Sequence, residues 1–296
     1  MKSQKYATPV MIIATIVISL TMLFIPTSHS RNKAVDGKLG VAVTLVPYAD
    51  FVRQVGGDKV DVTVMVPPGA NPHSYEPTTS QMVALSKAEV YVKVGAPIEF
   101  ELAWMDKLIQ QNPDMLVING SDGIDFITSA DPDEPGMDPH VWTSPLKVKN
   151  IVQNICAGLV AADPDNTAYY QSNRDSYLNE LDALDEYING KFEGYAMRYF
   201  LVYHPSFGYF AAEYNLNQLS IEFEGKEPTP QGVQQCIDLA KQYDLNYVFI
   251  EPQYPLQYAQ TIADATGGKT AVANDLPSDY INSMRSLADA IALELE

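Results

Sequence analysis

Three histidines in this chain stand beside prolines, and histidine is otherwise rare, with 4 in 296 residues. His73 closes Val66-Pro-Pro-Gly-Ala-Asn-Pro-His73, His140 sits in Asp138-Pro-His140-Val-Trp142, and His204 opens His204-Pro-Ser206. A neighbouring proline restricts the backbone and reduces the entropy lost in holding an imidazole still. A lone histidine is most simply a hydrogen-bonded structural residue. Three so placed suit a divalent metal, because neutral imidazole is a common ligand of zinc and three leave one tetrahedral place open. A carboxylate is the natural fourth ligand. Asp275, beyond the apolar run Thr270–Ala273, suits the place, and Asp138, Glu76, Glu224 and Glu251 compete for it. Each of these could instead be solvated or orient an imidazole from behind. Neither His-x-x-x-His with an internal glutamate nor Cys-x-x-Cys occurs.

The same three histidines with an activated water would make a zinc hydrolase, with Glu76 or Glu251 as base. A carboxylate in the fourth place speaks against that chemistry, and an open water in a roomy pocket speaks for it.

The elements that must position these residues alternate. Apolar, β-branched runs at Leu39–Val46, Val60–Val66, Val90–Val94 and Met115–Ile118 read as strands, with helical patterns at Tyr48–Val55, Thr78–Ala88 and Ile98–Gln111 between them. A loop rich in Asp, Gly and Pro, 121–144, leads to a helix at Pro145–Ala162. A polar segment follows, Asn166–Lys191, whose stripe of Tyr170, Tyr177, Leu181, Leu184 and Ile188 predicts one helix of roughly 40 Å. The alternation then resumes, with strands at Tyr199–Tyr203, Leu216–Phe223, Tyr247–Ile250 and Thr270–Ala273 and helices at Phe207–Tyr214, Pro230–Tyr243, Pro255–Ala265 and Pro277–Leu293. The fold class is α/β: two Rossmann-like lobes with parallel sheets, at 31–163 and 194–296, joined by one long backbone helix at 164–193. His73, His204 and Asp275 then follow strand ends, where open α/β sheets bind ligands.

Residues 1–30 precede this body. Lys2 and Lys5 lead an apolar run, and Ser28-His29-Ser30 offers small residues at a cleavage site, the layout of a secretory signal peptide or, uncleaved, an anchor. The body is expected outside the cytoplasm, and not as a lipoprotein, because neither cysteine lies near that site. Cys156 and Cys236 could pair in an oxidising compartment or serve as buried small hydrophobes. A net charge of −18 excludes non-specific nucleic-acid binding, which needs a basic face.

Several stretches resemble the solute-binding proteins of ABC importers for zinc and manganese: Val-Pro-Tyr-Ala-Asp-Phe-Val at 46–52, Val-Gly-Gly-Asp-Lys-Val at 55–60, Val-Pro-Pro-Gly-Ala-Asn-Pro-His-Ser-Tyr-Glu-Pro at 66–77, Asp-Pro-His-Val-Trp at 138–142, Tyr-His-Pro-Ser-Phe-Gly-Tyr-Phe at 203–210, Gly-Lys-Glu-Pro-Thr-Pro at 225–230 and Phe-Ile-Glu-Pro-Gln at 249–253. The resemblance implies a monomeric, non-enzymatic binding protein. It would hold a metal between two lobes, with His73 and His140 from the first and His204 and Asp275 from the second, and pass it to a membrane permease. His204 stands where manganese members carry a carboxylate, which leans toward Zn(II) over Mn(II) or Fe(II). Two features depart from the zinc members. The stretch before Asp138 is acidic and lacks the histidine-rich loop, and Pro72 replaces a glutamate before the first ligand, leaving Asp275 or water to complete the sphere. Adhesion on the same fold is a further reading that no residue specifically supports.

Overall fold

The computed structural model describes residues 37–128, 136–195, 198–222 and 227–295. The predicted export segment, Glu224 and part of the acidic stretch before Asp138 lie outside the described residues.

The first lobe carries β1 (Leu39–Val43), β2 (Val60–Val64), β3 (Val90–Lys93) and β4 (Leu116–Asn119), a parallel sheet ordered β2-β1-β3-β4. Around it lie α1 (Val46–Gly56), α2 (Thr79–Leu85), α3 (Glu99–Gln111) and α4 (Pro145–Ala162). The helix α5 (Thr167–Phe192) follows. The second lobe carries β5 (Tyr199–Val202), β6 (Asn217–Ser220), β7 (Tyr247–Ile250) and β8 (Lys269–Val272), again parallel and ordered β6-β5-β7-β8. Its helices are α6 (Gly208–Glu213), α7 (Pro230–Gln242), α8 (Leu256–Thr266) and α9 (Tyr280–Leu295). The two sheets share one strand order although the sequence shows no strong repeat.

Local chemistry sets the boundaries. The strand predicted through Val46 ends at Val43, because Val46 and Pro47 already form the first turn of α1, where a proline sacrifices no hydrogen bond. Ser144 before Pro145 and Thr229 before Pro230 cap α4 and α7 with side-chain oxygens. Thr78 and Gln81 form a reciprocal capping box on α2. Gln81 also donates to the carbonyls of Val64 and Met65 and accepts from the Tyr75 hydroxyl, which ties down both ends of the loop that carries His73.

The helix α5 spans 26 residues, about 39 Å of rod. It buries Tyr170, Tyr177, Leu181, Leu184, Ile188 and Phe192 against α1 and α4 of the first lobe and α9 of the second. One hydrophobic core therefore runs from the first sheet through this helix into Phe200, Phe210 and Phe249 of the second lobe. A smaller core, including Leu201, Val248 and Ile262, lies under α7 and α8. The Tyr280 amide donates to Asp50 across the two lobes at 2.9 Å. With apolar packing continuous through the joint, a wide hinge motion would expose buried surface, so the lobes are stiffly coupled. Cys156 and Cys236 are both buried and free. Among the described residues, no helix is long and apolar enough to cross a membrane.

Candidate metal centre

In the second lobe, His204, Glu222, Glu251 and Asp275 lie just beyond the carboxyl ends of β5, β6, β7 and β8 respectively. Parallel pairing places those four ends on one edge of the sheet. In the first lobe, His73 follows β2, Glu99 opens α3 beyond β3, and Asp138 and His140 end the loop after β4. The two edges face each other, and among the described residues they bring one potential metal-holding group together. Ligand nitrogens of His73, His140 and His204 lie within 4.8 Å of one another. The Nε2 atoms of His140 and His204 are 3.2 Å apart.

Each imidazole is held by its local chain. The Asn71 side chain accepts the His73 amide at 2.9 Å, a turn that fixes the loop. The Asp138 carboxylate accepts the His140 amide at 2.9 Å, and the His140 carbonyl accepts from Thr143. The His204 amide donates to Glu251, and the Tyr254 ring stacks on the imidazole at 5.2 Å. His140 and His204 are buried, while His73 is partly exposed.

Behind the rings stand three carboxylates. His73 Nδ1 meets Glu99 at 2.9 Å, His140 Nδ1 meets Asp138 at 2.8 Å, and His204 Nδ1 meets Glu222 at 2.6 Å. A carboxylate at Nδ1 keeps the proton there and leaves Nε2 with its lone pair. Burial pushes the His204 pKa below the ordinary imidazole value, against the pull of Glu222. Burial also acts downward on His73, but its hydrogen bond and charge pairing with Glu99 prevail and hold it above that value. Burial, reinforced by Asp275, drives the Glu251 carboxyl far above the carboxylate range.

The rings line a cavity of about 10 Å³, the size of one ion or one water, shared with Glu99, Gln253 and Asp275. Asp275 is thus at the cavity, but its oxygens do not join the group formed by the three histidines. Its Oδ1 accepts from Gln253 at 2.8 Å, and its backbone carbonyl accepts from the Trp142 indole of the first lobe at 2.7 Å. Of the competing carboxylates, Asp138 backs a histidine, Glu251 is buried against a backbone amide, and Glu76 is exposed away from the cavity. Glu99 and Glu222 were not anticipated. Their signal in the sequence is position just past a strand or at a helix start, which many acidic residues share.

Residues 41–293 match the family model described as ZnuA: Zinc-uptake complex component A periplasmic. The chain is similar to the high-affinity zinc uptake system protein ZnuA of Bacillus subtilis (strain 168), 30% identical over 277 residues that cover 86% of each chain. It is 30% identical to the zinc-binding lipoprotein AdcA of Streptococcus pneumoniae over 90% of its own length, and spans 55% of that longer protein. A crystal structure of ZnuA matches with a TM-score of 0.83 at 36% identity, covering 88% of this chain and 100% of the other. A ZnuA deletion mutant with zinc bound matches with a TM-score of 0.82 at 36% identity, covering 88% and 98%. The chain therefore belongs to the family of periplasmic zinc-uptake complex component A proteins.

Proposed function

We propose that this protein captures Zn²⁺ outside the cytoplasm and delivers it to the membrane permease of an ABC importer. One observation supports this above all: three histidine nitrogens within 4.8 Å of one another, drawn from two lobes. His73, His140 and His204 hold the ion through Nε2. Asp275, with Oδ1 tethered by Gln253, supplies the fourth place through its other oxygen, or a water does. The lobes at 31–163 and 194–296 and the linking helix at 164–193 act as a frame. Because ligands come from both lobes, capture fixes their relative orientation, and a permease can read that shape. The continuous core through α5 favours a small tilt or loop ordering over wide closure.

The protein works without catalysis. The cavity of about 10 Å³ between the rings is the size of one ion or one water and suits capture of an ion. Neither base considered for hydrolysis lines it. Nitrogen-rich coordination favours zinc over manganese or iron(II). Calorimetric titration with Zn²⁺ tests the site: His204→Ala is expected to lose high-affinity binding, and unchanged affinity would overturn the assignment. Thermal shifts with Zn²⁺ and Mn²⁺ test the preference, with a larger shift from Mn²⁺ as the contrary result. Turnover of an ester or phosphate panel by the zinc-loaded protein would count against the carrier reading.

A further inference from the structure

Imidazole offers a metal two different nitrogens, and which one binds depends on what holds the other. All three histidines here share one answer, reached by three unrelated routes. Glu99 is the first residue of α3, Asp138 lies two residues before His140 and also accepts its amide, and Glu222 comes from beyond β6, 18 residues after His204. Each histidine is served by a carboxylate of its own lobe, so each half of the cluster is oriented before the halves act together. We propose that Glu99, Asp138 and Glu222 are positioning residues that set the metal preference, each accepting the Nδ1–H of one imidazole so that three strengthened Nε2 donors converge. This inference rests on the zinc-capture reading above.

The carboxylates differ in a way that grades the effect. The Glu222 side chain is 7% exposed and Asp138 5%, whereas Glu99 is 49% exposed. Water competes for and screens the Glu99 contact, but not the other two. Glu222 also makes the shortest of the three contacts, at 2.6 Å. A carboxylate hydrogen bond raises the basicity of a ligand imidazole. Stronger nitrogen donors favour zinc over manganese, which prefers oxygen. Glu222 is therefore the residue on which the Zn²⁺ over Mn²⁺ preference depends most.

The full chain tests this with Glu222→Gln, Glu99→Gln and His204→Ala. Zn²⁺ and Mn²⁺ affinities are measured by competition with a chromophoric chelator, alongside the Co²⁺ visible spectrum and the metal-free melting temperature. Glu222→Gln is expected to weaken zinc about 10- to 100-fold, narrow the Zn²⁺/Mn²⁺ ratio and shift the Co²⁺ bands, with metal-free melting little changed. Glu99→Gln should show a smaller loss of zinc affinity. Unchanged zinc affinity in Glu222→Gln, or equal weakening of both metals with a lowered melting temperature, overturns the inference. If Glu222→Gln does not fold, Asp138→Asn carries the same test with the same outcomes. Loss of zinc in His204→Ala with an unaffected Glu222→Gln overturns the positioning role and leaves the capture site standing. Retained zinc in His204→Ala removes the site itself.

Discussion

Tyr209 of α6 reaches from the second lobe into the loop that carries His140. Its hydroxyl donates to the Asp138 carbonyl at 2.8 Å and accepts from the Ile127 amide at 3.1 Å. Burial pushes the phenol up to about 12, so it remains a donor at physiological pH. Tyr209→Phe keeps the ring and removes both bonds. The Asp138 carbonyl lies in a buried residue and would lose its partner at a cost of about 1–3 kcal/mol. Ile127 is half-buried, water replaces part of its bond, and the loss there is about 0.5–1.5 kcal/mol. The variant should be destabilised by about 1.5–4.5 kcal/mol, which moves a urea midpoint by roughly 0.5–1.5 M. Asp138 also holds His140, so some of this order must be restored when metal binds. If that share is about 1 kcal/mol, zinc affinity falls about fivefold. Urea unfolding of the metal-free protein and chelator competition measure the two effects. A midpoint unmoved by more than about 0.2 M with zinc affinity unchanged would refute the view that Tyr209 couples the lobes at the site.

Gly158→Ala should cost about 1–3 kcal/mol by overpacking, because a Cβ there would lie 2.0 Å from Cδ1 of Ile118 where α4 seats on β4; denaturant titration checks it. Zinc affinity should fall as the pH drops through about 6, since protons compete for the imidazoles. His73, held above the ordinary 6.5 by Glu99, protonates before the buried His204, and a flat affinity profile between about pH 5 and 7.5 would contradict this. Glu294 accepts the amides of Asn246 and Tyr247, and burial raises its pKa to about 7 from the usual 4.5. The folded state therefore binds the extra proton between those values. The Glu294 contribution to stability is largest at low pH, declines by on the order of 3 kcal/mol as pH rises from about 4.5 to 7, and is constant above. Glu294→Gln should flatten that part of the pH–stability curve, read from urea midpoints.

The alternation of strands and helices was legible because buried parallel strands need apolar, β-branched runs and the helices need a 3.6-residue stripe. The stripe on α5 shows this well. Its spacing of seven, four, three and four residues from Tyr170 to Ile188 is the buried face seen in the fold. Boundaries were less legible. Val46 and Pro47 look like the end of a strand, yet a proline is equally at home in the first turn of a helix, and the structure uses it there. Likewise the edge strand β6 stops at Ser220, short of the predicted Phe223, and the chain turns away to carry Glu222.

The kinds of group available are legible before folding: three proline-flanked histidines, an acidic body that excludes non-specific nucleic-acid binding, and two α/β lobes about a long helix. Those are properties of composition and of short-range periodicity, which a chain carries whether or not it is folded. Which groups become partners depends on how the chain folds. The contacts between Glu99 and His73 and between Glu222 and His204 span 26 and 18 residues, and Trp142 reaches Asp275 across 133. Such pairs arise because parallel pairing stacks the carboxyl ends of successive strands on one edge, so residues far apart in the chain become neighbours. No local pattern marks one acidic residue among 37 for that place.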